Sequence, residues 1–208
     1  MDGERKATAV EKADHKITSE VNGERDSWPM RLVGAASEIG DQPQMRTICA
    51  ATVVDGIVRR DLHLAATGFR MLAAHTLATW AKSGIKAAID RRRPKDGDDP
   101  RLRESDRDRH EENSFPSGHS AGAVAVGEAI ARAYPDHAVA ARGAALSVSV
   151  VQVPRGTHFA GDVVAGIAIG LIAERLSNAA IDLAVRSARR EFAERQRSDA
   201  RPSGVRLS

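Results

Sequence analysis

The sequence of 208 residues has one cysteine, Cys49. A lone cysteine excludes an internal disulfide and a thiolate metal cluster, and Cys49 reads as a small buried apolar residue. Aromatic residues are also scarce, at 3%, and the net charge is only +3 although 28% of residues are charged. No basic stripe with interleaved aromatics appears, so nucleic-acid binding is not expected. Long apolar runs are missing too. A spanning helix needs about 20 mainly apolar residues, whereas Met71–Ala81 is bounded by Arg70 and Lys82, Gly143–Pro154 follows Arg142, and Val163–Ala173 stops at Glu174. The mean hydropathy is −0.35, and by itself this pattern describes a soluble helical bundle. Met1–Glu20 has no apolar centre and does not read as a secretory signal.

What is present divides the chain into three parts. Residues 1–28 are polar, mixed in charge and read as a flexible tail. Residues 29–176 carry the apolar content of one all-α domain, a bundle of about five to six helices. Residues 177–208 read as an amphipathic helix followed by a loose tail. Within the domain, helices are predicted over Met30–Ile39, Met45–Val58, Leu62–Ile89, Ser117–Tyr134, Ala138–Val153 and Asp162–Arg175. The long third helix is apolar on two sides, through Leu62, Phe69 and Trp80 on one and Leu64, Met71 and Ala78 on the other, and is expected to be well buried. His75 on that helix reads as a satisfied core histidine. Leu146–Val153 alternates like a strand, but no partner strand exists for it, so it is assigned to a helix. Arg91–Asn113 is a dense charge run with Gly97 and Pro100, read as a loop in which His110 is solvated. Gly166 and Gly170 are four apart, so another helix can approach them closely.

Three stretches carry chemistry. In Ser114-Phe115-Pro116-Ser117-Gly118-His119-Ser120, Pro116 disfavours helix before it, Ser117 is a good N-cap, and His119 falls in the first turn of an Ala/Gly-rich helix. The free amides of such a turn favour anions. Upstream, Lys86 and Arg93 are seven apart, on one helical face if the helix persists to Pro94. Downstream, His158 and Asp162 are four apart, and a carboxylate beside a histidine fixes its tautomer and raises its basicity.

In this order, K-x6-R-P, P-S-G-H and H-x3-D resemble the type 2 phosphatidic acid phosphatase superfamily, whose relatives include bacterial acid phosphatases and vanadium haloperoxidases. The resemblance runs from about Leu32 to Leu176. It implies that Lys86, Arg93, Ser117 and the Gly118 amide bind phosphate oxygens. It also implies that His158 is the nucleophile, that Asp162 orients it, and that His119 protonates the leaving group. One departure stands out. The third motif of the family begins S-R, and Val151-Gln152 occupies those positions here. Gln152 can donate hydrogen bonds but has no charge, and Arg155, three residues before His158, is the candidate to reach the same oxygens. Loss of a charge-assisted contact is expected to weaken phosphate binding by about 1–3 kcal/mol.

The reading that results is a metal-independent phosphatase acting on a phosphomonoester or diphosphate, a lipid phosphate above all, through a phosphohistidine. No metal site and no cofactor are expected, since the histidines show no ligand spacing such as H-E-x-x-H. Two alternatives stand beside it: a phosphate- or lipid-binding relative without turnover, and a vanadium-dependent haloperoxidase, in which vanadate would occupy the same pocket. The resemblance places the chain in association with an inner membrane, with a soluble cytoplasmic protein as the alternative. The partner expected is the phosphorylated substrate. The identity of that substrate and the oligomeric state are not legible.

Overall fold

The computed structural model describes residues 6–21, 27–96, 99–104 and 113–199. His110 and the end of the C-terminal tail lie outside them. The described residues form seven α-helices: α1 (Ala9–Val21), α2 (Trp28–Ser37), α3 (Gln42–Val58), α4 (Leu62–Ala88), α5 (Gly118–Ala133), α6 (Ala138–Val150) and α7 (Ala160–Asp199). A 3-10 turn, Glu38–Gly40, joins α2 to α3. The only strands among the described residues are β1 (Ile89–Asp90) and β2 (Arg103–Glu104), antiparallel, with Ile89 opposite Glu104. The all-α bundle expected from the sequence is the fold observed.

Local chemistry sets the helix starts. The Asp61 carboxylate accepts the Leu64 N–H at 3.0 Å and caps α4, and Ser117 caps α5 by accepting the Ser120 N–H at 3.3 Å. Pro29 and Pro43 sit in the first turns of α2 and α3, where a missing N–H costs nothing. The alternating stretch after Leu146 is helical to Val150, as the lack of a partner strand requires, and then unwinds into a turn. Gly156 closes that turn at a φ of 68°, where a side chain would be strained.

Helix α5 is the central element and packs against α4, α6 and α7, while α3 lies on α4. Its buried residues are almost all Ala, Gly and Val, so its neighbours approach close to its backbone. A Cβ on Gly166 would lie 2.5 Å from the Ser117 carbonyl oxygen, and one on Gly170 would lie 2.6 Å from that of Ala121. The close approach read from these two glycines is therefore between α7 and α5. Because both obstacles are backbone, Gly166→Ala should destabilise the fold by about 1–3 kcal/mol and shift Ser117, which thermal melting and activity would both detect. Cys49 lies in the core with Met45, Met71, Val124 and Val126.

Three sequence readings change. Within the polar segment read as a tail, Ala9–Val21 is helical and docks against the start of α7. Glu11 accepts the Thr8 N–H at 2.7 Å, as in a capping box. Asp14 and Thr18 accept the Gly161 and Ala160 amides at 2.8 and 3.2 Å, where carboxylate charge complements the helix dipole. The helices expected to end at Arg175 and to resume at Asn178 are one, α7, because no Gly or Pro interrupts Leu171–Asp199. Arg70 of α4 holds Asn178 and Asp182 at 2.5 Å each, so the bundle extends past residue 176. Finally, of the two apolar sides read on α4, the one carrying Leu62, Phe69 and Trp80 is not buried. Met71, Ala74 and Ala78 face the core, while Phe69 and Trp80 are 55% and 69% exposed.

Candidate active site

The site forms at one end of the bundle, where α4 ends, α5 and α7 begin, and the 151–159 turn crosses. Helix α4 stops at Ala88 and the chain continues extended through Ile89–Asp90. Lys86 is therefore helical while Arg93 lies beyond the helix, and the two do not share a helical face. Asn113 ties this exit to the α5 cap. Its side-chain amide donates to the Ile89 carbonyl at 2.5 Å, and its Oδ1 accepts the Phe115 N–H at 2.9 Å. The Lys86 ammonium donates to the Asn113 carbonyl at 2.5 Å. Burial, with help from Lys82 and Arg93, pushes the Lys86 ammonium down to about 8.

His158 is buried, and its Nδ1 lies 2.7 Å from the Ser114 carbonyl oxygen. A carbonyl only accepts, so Nδ1 carries the hydrogen and Nε2 keeps its lone pair. Burial holds His158 below its ordinary range, against the opposing influence of Asp162, so the ring is neutral and nucleophilic. Asp162 has a different position from that read out of the spacing. His158 precedes α7, and the Asp162 carboxylate is 3.8 Å from Nδ1, an electrostatic neighbour beyond hydrogen-bond reach. Its own bonds go to the Phe159 N–H at 2.9 Å and to Arg91 Nη1 at 2.7 Å. Burial alone would raise the Asp162 pKa, but His158 and Arg91 outweigh it and hold it low.

His119 stands opposite, its ring centre 6.5 Å from that of His158. Asp41, the residue before α3, places Oδ1 2.7 Å from His119 Nε2. The contact is off the line of a ring N–H, and Nε2 has no aligned hydrogen-bond partner. Burial lowers His119 to about 4; Asp41 pulls up, while His158, Arg155 and Arg93 push down. Removing the carboxylate leaves only downward influences. Asp41→Asn should therefore move the pH optimum of any reaction needing protonated His119 to lower pH. At neutral pH, turnover of an alkyl phosphate should fall about tenfold, with a smaller loss on an aryl phosphate, whose leaving group needs no proton. A pH–rate profile on the two substrates measures it; an unmoved optimum would sink the idea.

The remaining candidates separate. Gly118 and His119 are the first residues of α5, and their amides have no acceptor among the described residues. The Ser117 hydroxyl accepts from both Ser120 N–H and Ser120 Oγ, and the Ser117 N–H donates to the Asp162 carbonyl at 3.0 Å. Gln152 is fully buried and turned inward. Its Nε2 donates to the Val148 carbonyl at 3.0 Å, and its Oε1 accepts from Thr157 Oγ1 at 3.0 Å. It builds the turn that carries His158. Arg155 donates to Ser37 Oγ at 2.8 Å and lies near enough to disfavour protonation of His119. Arg93 has the same effect on His119, His158 and Lys86, so its charge lies within electrostatic reach of all three.

Sequence reading missed Asp41, Arg91, Asn113 and Ser114. Nothing marks Asp41, and Ser114 opens the motif stretch without any sign that its carbonyl serves His158. Asn113 directly precedes the motif, and Arg91 sits inside the first one, hidden among the three successive arginines of Arg91-Arg92-Arg93.

Residues 67–184 match the family model described as the PAP2 superfamily. A search of curated proteins gave no match. A solved structure, described as the crystal structure of the first transmembrane PAP2 type phosphatidylglycerolphosphate phosphatase from Bacillus subtilis, is similar in fold. The TM-score is 0.59 at 20% identity, covering 85% of this chain and 88% of that one.

Proposed function

This chain belongs to the PAP2 superfamily, and from that premise we propose that it is a metal-independent phosphatase working through a phosphohistidine at His158. The observation that carries the reading is the Ser114 carbonyl on Nδ1, which leaves a neutral Nε2 free. Nε2 attacks phosphorus in line, the bond from phosphorus to the leaving oxygen breaks, and that oxygen takes a proton from the protonated form of His119, which Asp41 favours against burial. Water then attacks phosphorus and gives its proton to His119 while the bond from phosphorus to Nε2 breaks, which releases phosphate and restores His158. Lys86, Arg93 and the Gly118 amide hold the phosphoryl oxygens as charge redistributes. Arg155, anchored on Ser37, is a further cation at the leaving-group side.

The outer surface supports a lipid substrate. Phe69 and Trp80 are exposed, as are Val164 and Ile172 of α7. By length and composition, the helix over Ala160–Arg197 holds an apolar stretch long enough to cross a membrane, and only about a third of that stretch is buried in the bundle. A lipid phosphate presented at a membrane fits these features better than a soluble ester. The test is phosphate release in chelator from phosphatidic acid, a polyprenyl diphosphate and a soluble aryl phosphate. Release that prefers the lipids supports both the reaction and the substrate class; release from the aryl phosphate alone overturns the lipid reading. Release from none overturns the phosphatase reading in favour of a binding protein.

A further inference from the structure

One turn before Lys86 on α4 stands Lys82, which neither the motifs nor the reaction above use. Its side chain runs across the first turn of α5. A Cβ on Gly118 would lie 3.1 Å from Lys82 Cδ and 3.2 Å from Nζ, so the end of the lysine rests directly on this glycine. Whereas Lys86 is held by the Asn113 carbonyl, Lys82 has no hydrogen bond or ion pair among the described residues. Burial, followed by the charge of Arg46 on α3, disfavours its protonation. Arg46 has no such partner either. A partly desolvated ammonium beside an uncompensated guanidinium marks a place where the protein keeps positive charge for a ligand.

Two turns deeper, His75 lies on the same face of α4, seven residues before Lys82. It is 1% exposed and packs on α5 at Gly122, where a Cβ would lie 3.1 Å from Nε2. Both ring nitrogens lack a partner, contrary to the satisfied core histidine read from the sequence. Burial, with Arg46 and Lys82, lowers it to about 4, so it is a neutral polar group facing the cations.

We propose that Lys82 and Arg46, with His75 beneath them, form a second anion subsite beside the Gly118 amide, which receives a second phosphate or phosphodiester of the same substrate. The inference rests on the phosphatase reading for the place of the first phosphoryl group. Lys86, Arg93 and the amides already match one phosphoryl group, so Lys82 and Arg46 are surplus cations for a monophosphate. The substrate class is thereby narrowed to molecules with two anionic groups a few bonds apart.

Two measurements on the full chain decide it. Calorimetry with inorganic phosphate and inorganic diphosphate reads the subsite without turnover. Kinetics on an alkyl monophosphate, the matching alkyl diphosphate and a glycerophosphodiester phosphate, each with short and long chains, reads it with turnover. Wild type should prefer diphosphate. Lys82→Met should lower diphosphate affinity and kcat/KM for the two-anion substrates by about 10–100-fold, and monophosphate turnover by about threefold at most. Arg46→Gln, at an exposed position, should repeat the pattern more weakly and guards against misfolding of the first variant. Equal losses on one- and two-anion substrates would assign Lys82 to the scissile phosphoryl group, and no loss on either would leave no subsite; each overturns the proposal. A diphosphate preference lost in Lys82→Met, in a protein without turnover, would uphold the subsite and reject the phosphatase. The chain-length series separates a lipid diphosphate from a soluble one.

Discussion

His158→Ala should reduce phosphate release by about 10⁴-fold or more, the range found when a nucleophile is deleted from a site whose binding groups remain. The loss should fall on kcat, because Lys86 and the α5 amides still hold the substrate. A chemical signature accompanies it. With Nδ1 donating to the Ser114 carbonyl at 2.7 Å, only Nε2 can attack, so wild-type protein quenched during turnover should carry an acid-labile phosphate linked through Nε2 of His158. Phosphorus NMR or mass spectrometry of the quenched protein reads it directly. A phosphate found on another residue, or a variant within tenfold of wild type, would refute the nucleophile assignment. Truncation also leaves the buried Ser114 carbonyl without its donor, so His158→Asn should accompany it; a variant that melts like wild type and remains inactive isolates the chemistry.

The geometry behind that expectation was only partly legible in the sequence. The start of α5 was, because a cap is a local signal and Ser117 reads as one; Asp61, Pro29 and Pro43 offer the same kind of signal where α4, α2 and α3 begin. The glycine pair on α7 was legible for a similar reason, since only close approach explains it. Spacing misled where it assumed helix. Lys86–Arg93 and His158–Asp162 each straddle a helix end, at Ala88 and Ala160, so the arrangement comes from extended and turn segments that periodicity cannot describe. The long-range partners were invisible for a different reason. Ser114 serves His158 with a backbone carbonyl, which any residue type would offer. Asp41 reaches His119 across 78 positions of sequence, and nothing local distinguishes it from any helix-capping aspartate. The charge of residues 9–21 read as solvation, whereas Asp14 is an internal ion-pair partner; the Thr8–Glu11 capping box was the signal available.

That ion pair is the second place where a large effect is expected. Arg91 is buried, and its guanidinium meets Asp162 Oδ1 and Asp14 Oδ2 at 2.7 Å each, donates from Nε to the Pro100 carbonyl at 2.9 Å, and stacks 3.9 Å above the Phe159 ring. It joins α1, the charged loop and α7 at the carboxylate behind His158. Arg91→Met fills much of the volume but leaves Asp162, which has no exposure, as a buried charge without its cation. Removing one partner of a buried pair destabilises by about 3–5 kcal/mol, and Lys, without the planar fork, should restore only part of this. The pH dependence separates this cause from lost packing. In wild type, Asp162 is held below its ordinary carboxylate value by His158 and Arg91 against burial. Its contribution is therefore present above the unfolded value and lost as pH falls through the folded one. Without Arg91 the carboxyl is easier to protonate, so neutralisation relieves the variant first. The stability gap between the proteins should be widest at neutral pH and narrow as pH falls through the carboxylate range. Denaturant melts at neutral and acid pH measure both points. A gap below about 1 kcal/mol at neutral pH, or one that does not change with acid, would mean that Asp162 does not depend on Arg91. The activity of Arg91→Met should fall as well, because the same carboxylate sets the field at Nδ1 of His158, and the loss should appear in kcat while KM changes little.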